Sequence, residues 1–403
     1  MSEHELIVAD GSFEPRSDLD RLGNRAWIAG GAGAALLVAG YLTAERADFY
    51  SAYLVGWLTC LGVALGVFVV SLLNHVSGGD WGVLLRRVSE ASGRTLPFFA
   101  LAALPLLFGL EHLYSWVDPE VDGSGHIVDH LLAHKRIYLN AGAFIFRGAV
   151  YFVFWTAVAF VLSAWSRRHD ETGDPALLEK MKRLSAIALV IHVLLSTLAS
   201  VDWIMSLDPH WFSSLFGFVF VAGQALSGFS FAVLAMLFLS RRKPLSGLVR
   251  TKLFHDYGKL MLAFVMFWAY LMISQYLIIW SGNLPEEITW YLDRSGQGWQ
   301  ILSLALILGH FALPFLLLLS ADLKKRPQLL AWVALWVLAM RWLDFFWQAA
   351  PSVRHGGIAL HWLDPVVPIA LGGLWLALLA GQLKKRNVVP TREPALKEIL
   401  AHG

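Results

Sequence analysis

The chain has 403 residues, of which 57% are hydrophobic and only 15% are charged, and its formal net charge is +2. This composition lies far outside that of a soluble globular domain and predicts an integral membrane protein. The single cysteine, Cys60, excludes structural disulfides, thiolate-held iron–sulfur clusters and Cys-based zinc sites within this chain.

Ten apolar runs are long enough to cross about 30 Å of hydrocarbon as helices. The predicted spans are residues 26–44, 50–73, 95–114, 138–164, 183–205, 215–240, 258–282, 299–319, 328–348 and 364–383. Residues 1–25 are polar and mixed in charge, so the first run is predicted to be a retained span and not a cleaved signal peptide. The predicted fold is all-α integral membrane, with an N-terminal tail (1–25), a ten-span membrane domain (26–383) and a C-terminal tail (384–403).

The Lys and Arg residues outside the spans are unevenly distributed. One side of the predicted membrane carries 24 of them and the other side only five, namely Arg46, Lys135, Arg136, Arg294 and Arg354. Because basic loops stay cytoplasmic, both termini are expected in the cytoplasm. The protein is therefore predicted to be multi-pass in the bacterial cell (inner) membrane, and the charge pattern does not imply nucleic-acid binding.

A weak internal repeat relates the second span to the sixth. "FYSAYLVGWLTCLGVALG" (49–66) matches "WFSSLFGFVFVAGQALSG" (211–228), and a second match aligns Asp202 in span five with Asp344 in span nine. These matches predict two parallel four-helix bundles, spans 2–5 and 6–9, flanked by spans 1 and 10. Chance similarity between aromatic-rich spans is the alternative that composition leaves open.

Ionisable side chains recur near the outer ends of several spans. Each costs several kcal/mol in hydrocarbon unless it is paired or hydrated. We expect them to compensate one another across a shared interior, either as an ion-pair cluster that fixes helix register or as an outer half-channel for protons. The outer proton path is predicted to comprise Glu111, Arg147, Asp202, Arg341 and Asp344.

Two histidines, His192 in span five and His310 in span eight, have equal predicted depth near mid-membrane. A bis-His haem, a proton relay, a quinone contact and a structural hydrogen bond to a neighbouring carbonyl all remain open for them. A second group of ionisable residues lies toward the cytoplasmic side. Lys259 belongs to it, although its long side chain can also simply extend to the membrane interface. The predicted inner or mid-membrane path comprises His75, His192, Asp256, Lys259, Tyr270 and His310.

Two long motifs, "ASVDWIMSLDPHWFSSLFG" (199–217) and "HDYGKLMLAFVMFWAYLMISQYLIIWSGNLPEE" (255–287), resemble the smaller polysulfide-reductase-like (NrfD-like) membrane subunit of bacterial Alternative Complex III, the ActF family. The stretch "GQALSGFSFA" (223–232) and the basic loop "GGDWGVLLRRVSEASGRTLP" (78–97) share the resemblance, which covers nearly the whole chain. In that family the complex oxidises membrane quinol and passes electrons to a cytochrome c, a similar acceptor or a terminal oxidase.

The resemblance implies that this chain has no redox cofactor of its own. It implies menaquinol or another quinol as the substrate of the complex, with haem c and iron–sulfur clusters on partner subunits. The implied partners are a larger NrfD-like quinol-site subunit, an iron–sulfur subunit, c-type haem subunits, small membrane subunits and lipids. No catalytic residue, cofactor ligand or metal ligand is predicted here. Two alternatives remain: a stand-alone proton-coupled secondary transporter, and a subunit that itself binds quinol.

Overall fold

The computed structural model describes residues 16–122, 127–354, 357–390, 392–394 and 396. The helices are α1 (Arg16–Thr43), α2 (Arg46–Ser77), α3 (Arg86–Gly93), α4 (Leu96–Ala102), α5 (Leu104–Leu107), α6 (Leu110–Leu113), α7 (His130–Lys135), α8 (Ala141–Thr172), α9 (Pro175–Trp203), α10 (Phe216–Leu239), α11 (Thr251–Gly282), α12 (Pro285–Leu292), α13 (Trp299–Ala305), α14 (Leu313–Leu319), α15 (Ala321–Lys324), α16 (Pro327–Val353) and α17 (Leu363–Leu383). A π-helical segment, Leu306–Ala312, joins α13 to α14. Within the described ranges the only β pairing is an isolated bridge between Val121 and Ile127.

Nine helical segments in the described part of the chain are long and apolar enough to cross a membrane. They are Ser17–Thr43, Arg46–Ser77, Ala141–Thr172, Pro175–Leu207, Phe216–Leu239, Thr251–Gly282, Trp299–Leu319, Pro327–Val353 and Leu363–Leu383. Each overlaps a predicted span, so nine of the ten predicted runs form such a helix. An all-α membrane protein is therefore supported, whereas the count of ten continuous spans is not.

The third predicted span, 95–114, is broken into α4, α5 and α6. Pro97 and Pro105 lie in the first turns of α4 and α5, where a missing N–H costs least. The segment still lies along the N-terminal half of α2, because Trp57 Nε1 donates to the Phe99 carbonyl (3.0 Å) and Tyr53 OH donates to the Ala102 carbonyl (2.9 Å). It therefore packs where a third span would, as a bent series of short helices.

Helices α2 and α10, the two spans related by the sequence repeat, form the centre of the structure. In their most apolar windows 83% and 78% of residues are buried, against 22–50% in the other seven helices. They cross at Gly66 and Gly228, where an added Cβ on either glycine would overlap the backbone of the other helix. These two glycines occupy matched positions in the predicted repeat. Small residues at a crossing let two helix backbones approach closely.

Helix α1 packs antiparallel against α17 through small residues. An added Cβ on Gly33 would clash with Ala370, and one on Gly40 would clash with Leu363. Close backbone approach is the usual basis of helix association in a membrane, where apolar surface alone supplies no driving force. The two outermost predicted spans thus form a pair, and α17 joins that pair to α2.

Candidate functional site

Asp202, in the last turn of α9, is fully buried and paired with Arg147 of α8. Two nitrogens of the guanidinium donate to the carboxylate, Nη2 to Oδ1 at 2.8 Å and Nε to Oδ2 at 3.0 Å. Tyr151 OH donates to Oδ2 at 2.7 Å, and Arg147 Nη1 donates to the Tyr138 carbonyl at 2.9 Å. A bidentate geometry with an added hydroxyl donor compensates a buried carboxylate well.

Asp344, the position equivalent to Asp202, is also fully buried and pairs with Arg341 one turn earlier on α16. Trp268 Nε1 donates to Asp344 Oδ2 at 3.2 Å, and Gln348 Nε2 donates to Oδ1 at 2.8 Å. An added Cβ on Gly223 of α10 would overlap the guanidinium of Arg341, so this glycine provides the space for it. Each of the two predicted bundles therefore contains one such acid–arginine pair.

The five residues of the predicted outer path do not form one cluster. Arg147 compensates Asp202, and Arg341 compensates Asp344; no hydrogen bond or ion pair among the described residues joins these two pairs. Glu111 lies apart from both, with its side chain 64% exposed and 3.5 Å from His112. Each acid is compensated by an arginine on the same or a neighbouring helix, whereas the outer path as a whole stays a prediction.

His310 lies in the π-helical segment, fully buried, with neither ring nitrogen hydrogen-bonded. Its ring centroid is 4.0 Å from that of Trp268, the residue that donates to Asp344. Pro314 follows the segment and has no N–H to offer the preceding turn. The Gly309 carbonyl accepts instead from Trp336 Nε1 at 2.7 Å. Segments of π-helix are often found at functional sites.

His192 lies on the buried face of α9, in the other half. Its Nε2 is 3.1 Å from Gln224 Oε1 and 3.2 Å from Ser196 Oγ, whereas its Nδ1 has no partner. The rings of Phe68 and Trp155 pack against it. His192 and His310 thus contact different aromatic residues in different halves.

The predicted inner residues separate in the structure. His75 Nδ1 is 2.9 Å from Oγ of Ser185, which lies two turns from His192 on the same face of α9. Lys259 is exposed and lies 3.5 Å from the half-buried Asp256, and Tyr270 is 67% exposed on the outer surface of the bundle. Tyr270 therefore does not join the histidines, because the helical register of α11 directs it away from the interior.

A polar cavity of about 780 Å³ lies at the predicted outer end, between the two halves. Its lining includes acids, histidines and backbone turns from four connections, among them Glu111, His112, Tyr114, Asp208, His210, Asp293 and Ser352. His210 Nε2 is 2.7 Å from Asp129 Oδ2. The cavity borders the C-terminal end of α16, two turns beyond Asp344.

Arg294, which the sequence placed in an ordinary outer loop, is 98% buried beside this cavity. Pro351 deprives the Trp347 carbonyl of its helical N–H partner, and Arg294 Nε donates to that oxygen at 3.1 Å. Nη2 also donates to the Gln348 carbonyl at 2.7 Å. No carboxylate contacts the guanidinium within the described residues, and burial lowers the pKa of Arg294 to about 9. No sequence signal distinguished this arginine from the exposed ones.

A second buried network lies at the predicted cytoplasmic end, where all eight residues of α3 are buried. Arg87 pairs with Glu90 at 2.8 Å and with Asp170, and Arg386 pairs with Glu90 at 3.0 Å. Burial alone would raise the pKa of Glu90, but the charges of Arg87 and Arg386 and the surrounding hydrogen bonds hold it below its usual value. The basic loop 74–94 therefore folds into the protein.

The helices and buried charges indicate an all-α, multi-pass membrane protein. Comparison with models of known protein families finds no match to this chain, and comparison with curated proteins finds none either.

Proposed function

We propose that this chain is an ActF-like membrane subunit of a quinol-oxidising electron-transfer complex in a bacterial inner membrane. In this proposal it carries protons through buried acids and histidines and supports the redox subunits, without a cofactor of its own. The partners are those of Alternative Complex III: a larger NrfD-like quinol-site subunit, an iron–sulfur subunit and c-type haem subunits. The resemblance of the motifs at 199–217 and 255–287 supports the proposed family, and the buried polar groups support the proposed role in proton transfer.

The observation that carries the proton role is that similar groups recur in the two predicted bundles, although, apart from the two acids, the helices that supply them do not correspond in the repeat. Each half buries a carboxylate, and aromatic residues lie between it and a buried histidine with an unpartnered ring nitrogen. In one half Trp268 contacts both Asp344 and His310. In the other, Tyr151 donates to Asp202, and Trp155 packs against both Tyr151 and His192. Charged groups within membrane spans are costly and often mark pathways for ions or protons.

The second half also has a polar connection from Asp344 to the outer cavity. Gln348 donates to Asp344 through its side chain and accepts from Arg294 through its carbonyl. Arg294 Nη2 also lies 3.4 Å from Ser352 Oγ, and Ser352 lines the cavity. Polar groups thus follow one another from the cavity to the buried acid. We propose this connection as the outer half-channel of the second half.

Proton transfer at either acid requires the ion pair to loosen. A carboxylate held by an arginine keeps its negative charge, so a proton can be accepted only when the arginine or its surroundings move. In the complex, oxidation of quinol in the neighbouring subunit releases protons and changes the local charge. That change is the driving event we propose, and the two-state element would be the Arg341–Asp344 pair beside the π-helical segment.

Two alternatives are weaker. Transporters built from repeats tend to break helices at matched positions in both halves. Here the irregular segments are 96–113, in the third predicted span, and 306–312, in the eighth; their repeat partners α11 and α8 are continuous. A quinol site in this chain has one supporting feature, an apolar crevice of about 230 Å³ that includes Tyr114 and Trp203. The hydroxyl of Tyr114 is already donated to the Trp203 carbonyl at 3.1 Å.

Co-purification tests the proposal. The tagged chain is expressed at its natural level and extracted in mild detergent. It is then expected to migrate in blue-native gels together with haem-staining proteins. The purified material is expected to show c-type haem bands in visible spectra that become reduced on addition of a menaquinol analogue. A protein that migrates alone, without haem or iron–sulfur partners, would favour the stand-alone transporter and contradict the proposal.

A further inference from the structure

A lysine is buried at the predicted cytoplasmic end of the protein. Lys324 is the last residue of α15, in the short connection between two spans, and it is only 6% exposed. Its stem crosses α11 at Gly258, where an added Cβ would lie 2.6 Å from Lys324 Cγ. The missing side chain of Gly258 therefore makes room for this lysine. Burial and the charge of Lys259 lower the pKa of Lys324.

No acid of the described chain compensates Lys324. Its ammonium group makes no hydrogen bond or ion pair with any described residue, yet it is not sealed off from the surface. The nearby Asp256 lies 3.5 Å from Lys259, and Asp322 is exposed and forms no ion pair within the described ranges. A buried cation without a partner is costly, so an anion from outside the chain would stabilise it.

Two further lysines lie beside Lys324 and are open to solvent. Lys259 directly follows Gly258 and its side chain is 58% exposed, and Lys325 is exposed as well. His255, one turn before Lys259, is close enough to Lys259, Lys324 and Lys325 to feel the charge of each. We call these three lysines the lysine cluster. Neighbouring cations repel one another unless an anion lies between them.

An apolar, lipid-facing surface begins next to the lysine cluster. Met266 and Tyr270 follow Lys259 along the same face of α11 and are 43% and 67% exposed. Helix α14 packs against α11, and its Leu316 and Leu319 are 64% and 54% exposed. Positive charge at the edge of exposed hydrocarbon suits a ligand that carries an anion on an apolar chain.

We propose that the lysine cluster binds the phosphate of an anionic phospholipid, with an acyl chain lying against Met266 and Leu316. Lysine ammonium groups bind phosphate as point charges, and basic sites between helices on the cytoplasmic side suit anionic headgroups. No closed pocket has to open, because Lys259 and Lys325 already face the surface from which a headgroup approaches. The assignment does not rest on the proposed function.

Native mass spectrometry of the protein purified in mild detergent tests the site, because it counts phosphatidylglycerol bound to folded protein. Lys324→Met keeps an apolar stem and removes the charge. It is expected to raise the half-saturating phosphatidylglycerol concentration about fivefold, which corresponds to about 1 kcal/mol for one cation at an anionic lipid surface. Lys182→Met removes an exposed lysine from the same predicted end and is the matched control, with the wild-type value expected.

Gly258→Ala separates the position of Lys324 from its charge. It keeps every charge but displaces the stem of Lys324, so it too should weaken phosphatidylglycerol binding. Equal half-saturating concentrations in the wild-type protein and Lys324→Met would overturn the site, and so would equal weakening in Lys182→Met. Inorganic phosphate is expected to leave phosphatidylglycerol bound. Displacement by inorganic phosphate at the same concentration would show a soluble-anion site and overturn the lipid assignment.

Discussion

Replacing Gly66 with alanine tests the central helix crossing. An added methyl group at Gly66 would overlap the Gln224 carbonyl oxygen on α10. The substitution itself suits a helix, since alanine has the higher helix propensity by about 1 kcal/mol. Relief of the overlap, however, requires α2 and α10 to move apart, and overpacking of this kind costs about 1–3 kcal/mol. The overpacking cost outweighs the gain in propensity, so we expect a net loss of stability of up to about 2 kcal/mol.

The assay is thermal unfolding in one detergent, followed by tryptophan near-UV circular dichroism, with Gly31→Ala as the control. Gly31 lies in α1 with no atom within 4 Å of an added Cβ, so this variant tests helix propensity alone. Gly66→Ala is expected to melt at a lower temperature than the wild-type protein, and Gly31→Ala at the same temperature or higher. If both variants melted alike, the close contact of Gly66 with α10 would be refuted.

Three further predictions concern the buried charges. Arg147→Met is expected to lower the stability by about 3–5 kcal/mol, because it leaves the Asp202 carboxylate buried and unpaired. In a double-mutant cycle of melting measurements, adding Asp202→Asn should recover part of that stability. Additive losses would contradict the pairing. Arg294→Met should lower the stability by about 1–3 kcal/mol, because the Trp347 carbonyl loses its hydrogen-bond donor. The control Arg136→Met, at an exposed position, should leave the melting temperature unchanged. Equal effects of the two substitutions would contradict the role of Arg294 as that donor. The pKa of Glu90 is lowered in the folded protein, so the stability that its charge contributes is complete above the usual glutamate value of 4.5 and is lost as pH falls through the lower folded value. The difference in melting temperature between the wild-type protein and Glu90→Gln should therefore be largest at neutral pH and should shrink in acid. A difference independent of pH would refute the pairing.

Hydropathy predicted most of the fold because length and apolarity are the main requirements for a helix in a membrane. It failed for residues 95–114, where Pro97 and Pro105 break an otherwise adequate apolar run. Average hydropathy does not register the missing N–H of a proline. The repeat matched Gly66 to Gly228, but only the packed structure shows that these two glycines touch.

The sequence identified several residues of the candidate site but not which of them contact one another. Asp202 and Asp344 were identified because an acid within an apolar run is costly. Their separation into two pairs depends on which helices are neighbours, which spacing along the sequence does not determine. Arg294 was missed since its burial depends on a carbonyl freed by Pro351, far away in the sequence. Tyr270 was included in the predicted inner path, although its side chain lies on the outer face of its helix.

The number of protons translocated per electron tests the account most directly. It is measured in proteoliposomes containing the purified complex, with quinol oxidation followed at the same time. Asp344→Asn is expected to lower this ratio while quinol oxidation and assembly persist, and Asp20→Asn, a surface acid paired with Lys384, is expected to leave it unchanged. A wild-type ratio in Asp344→Asn would show that the buried pair only holds helices together, and would contradict the proton-carrying role.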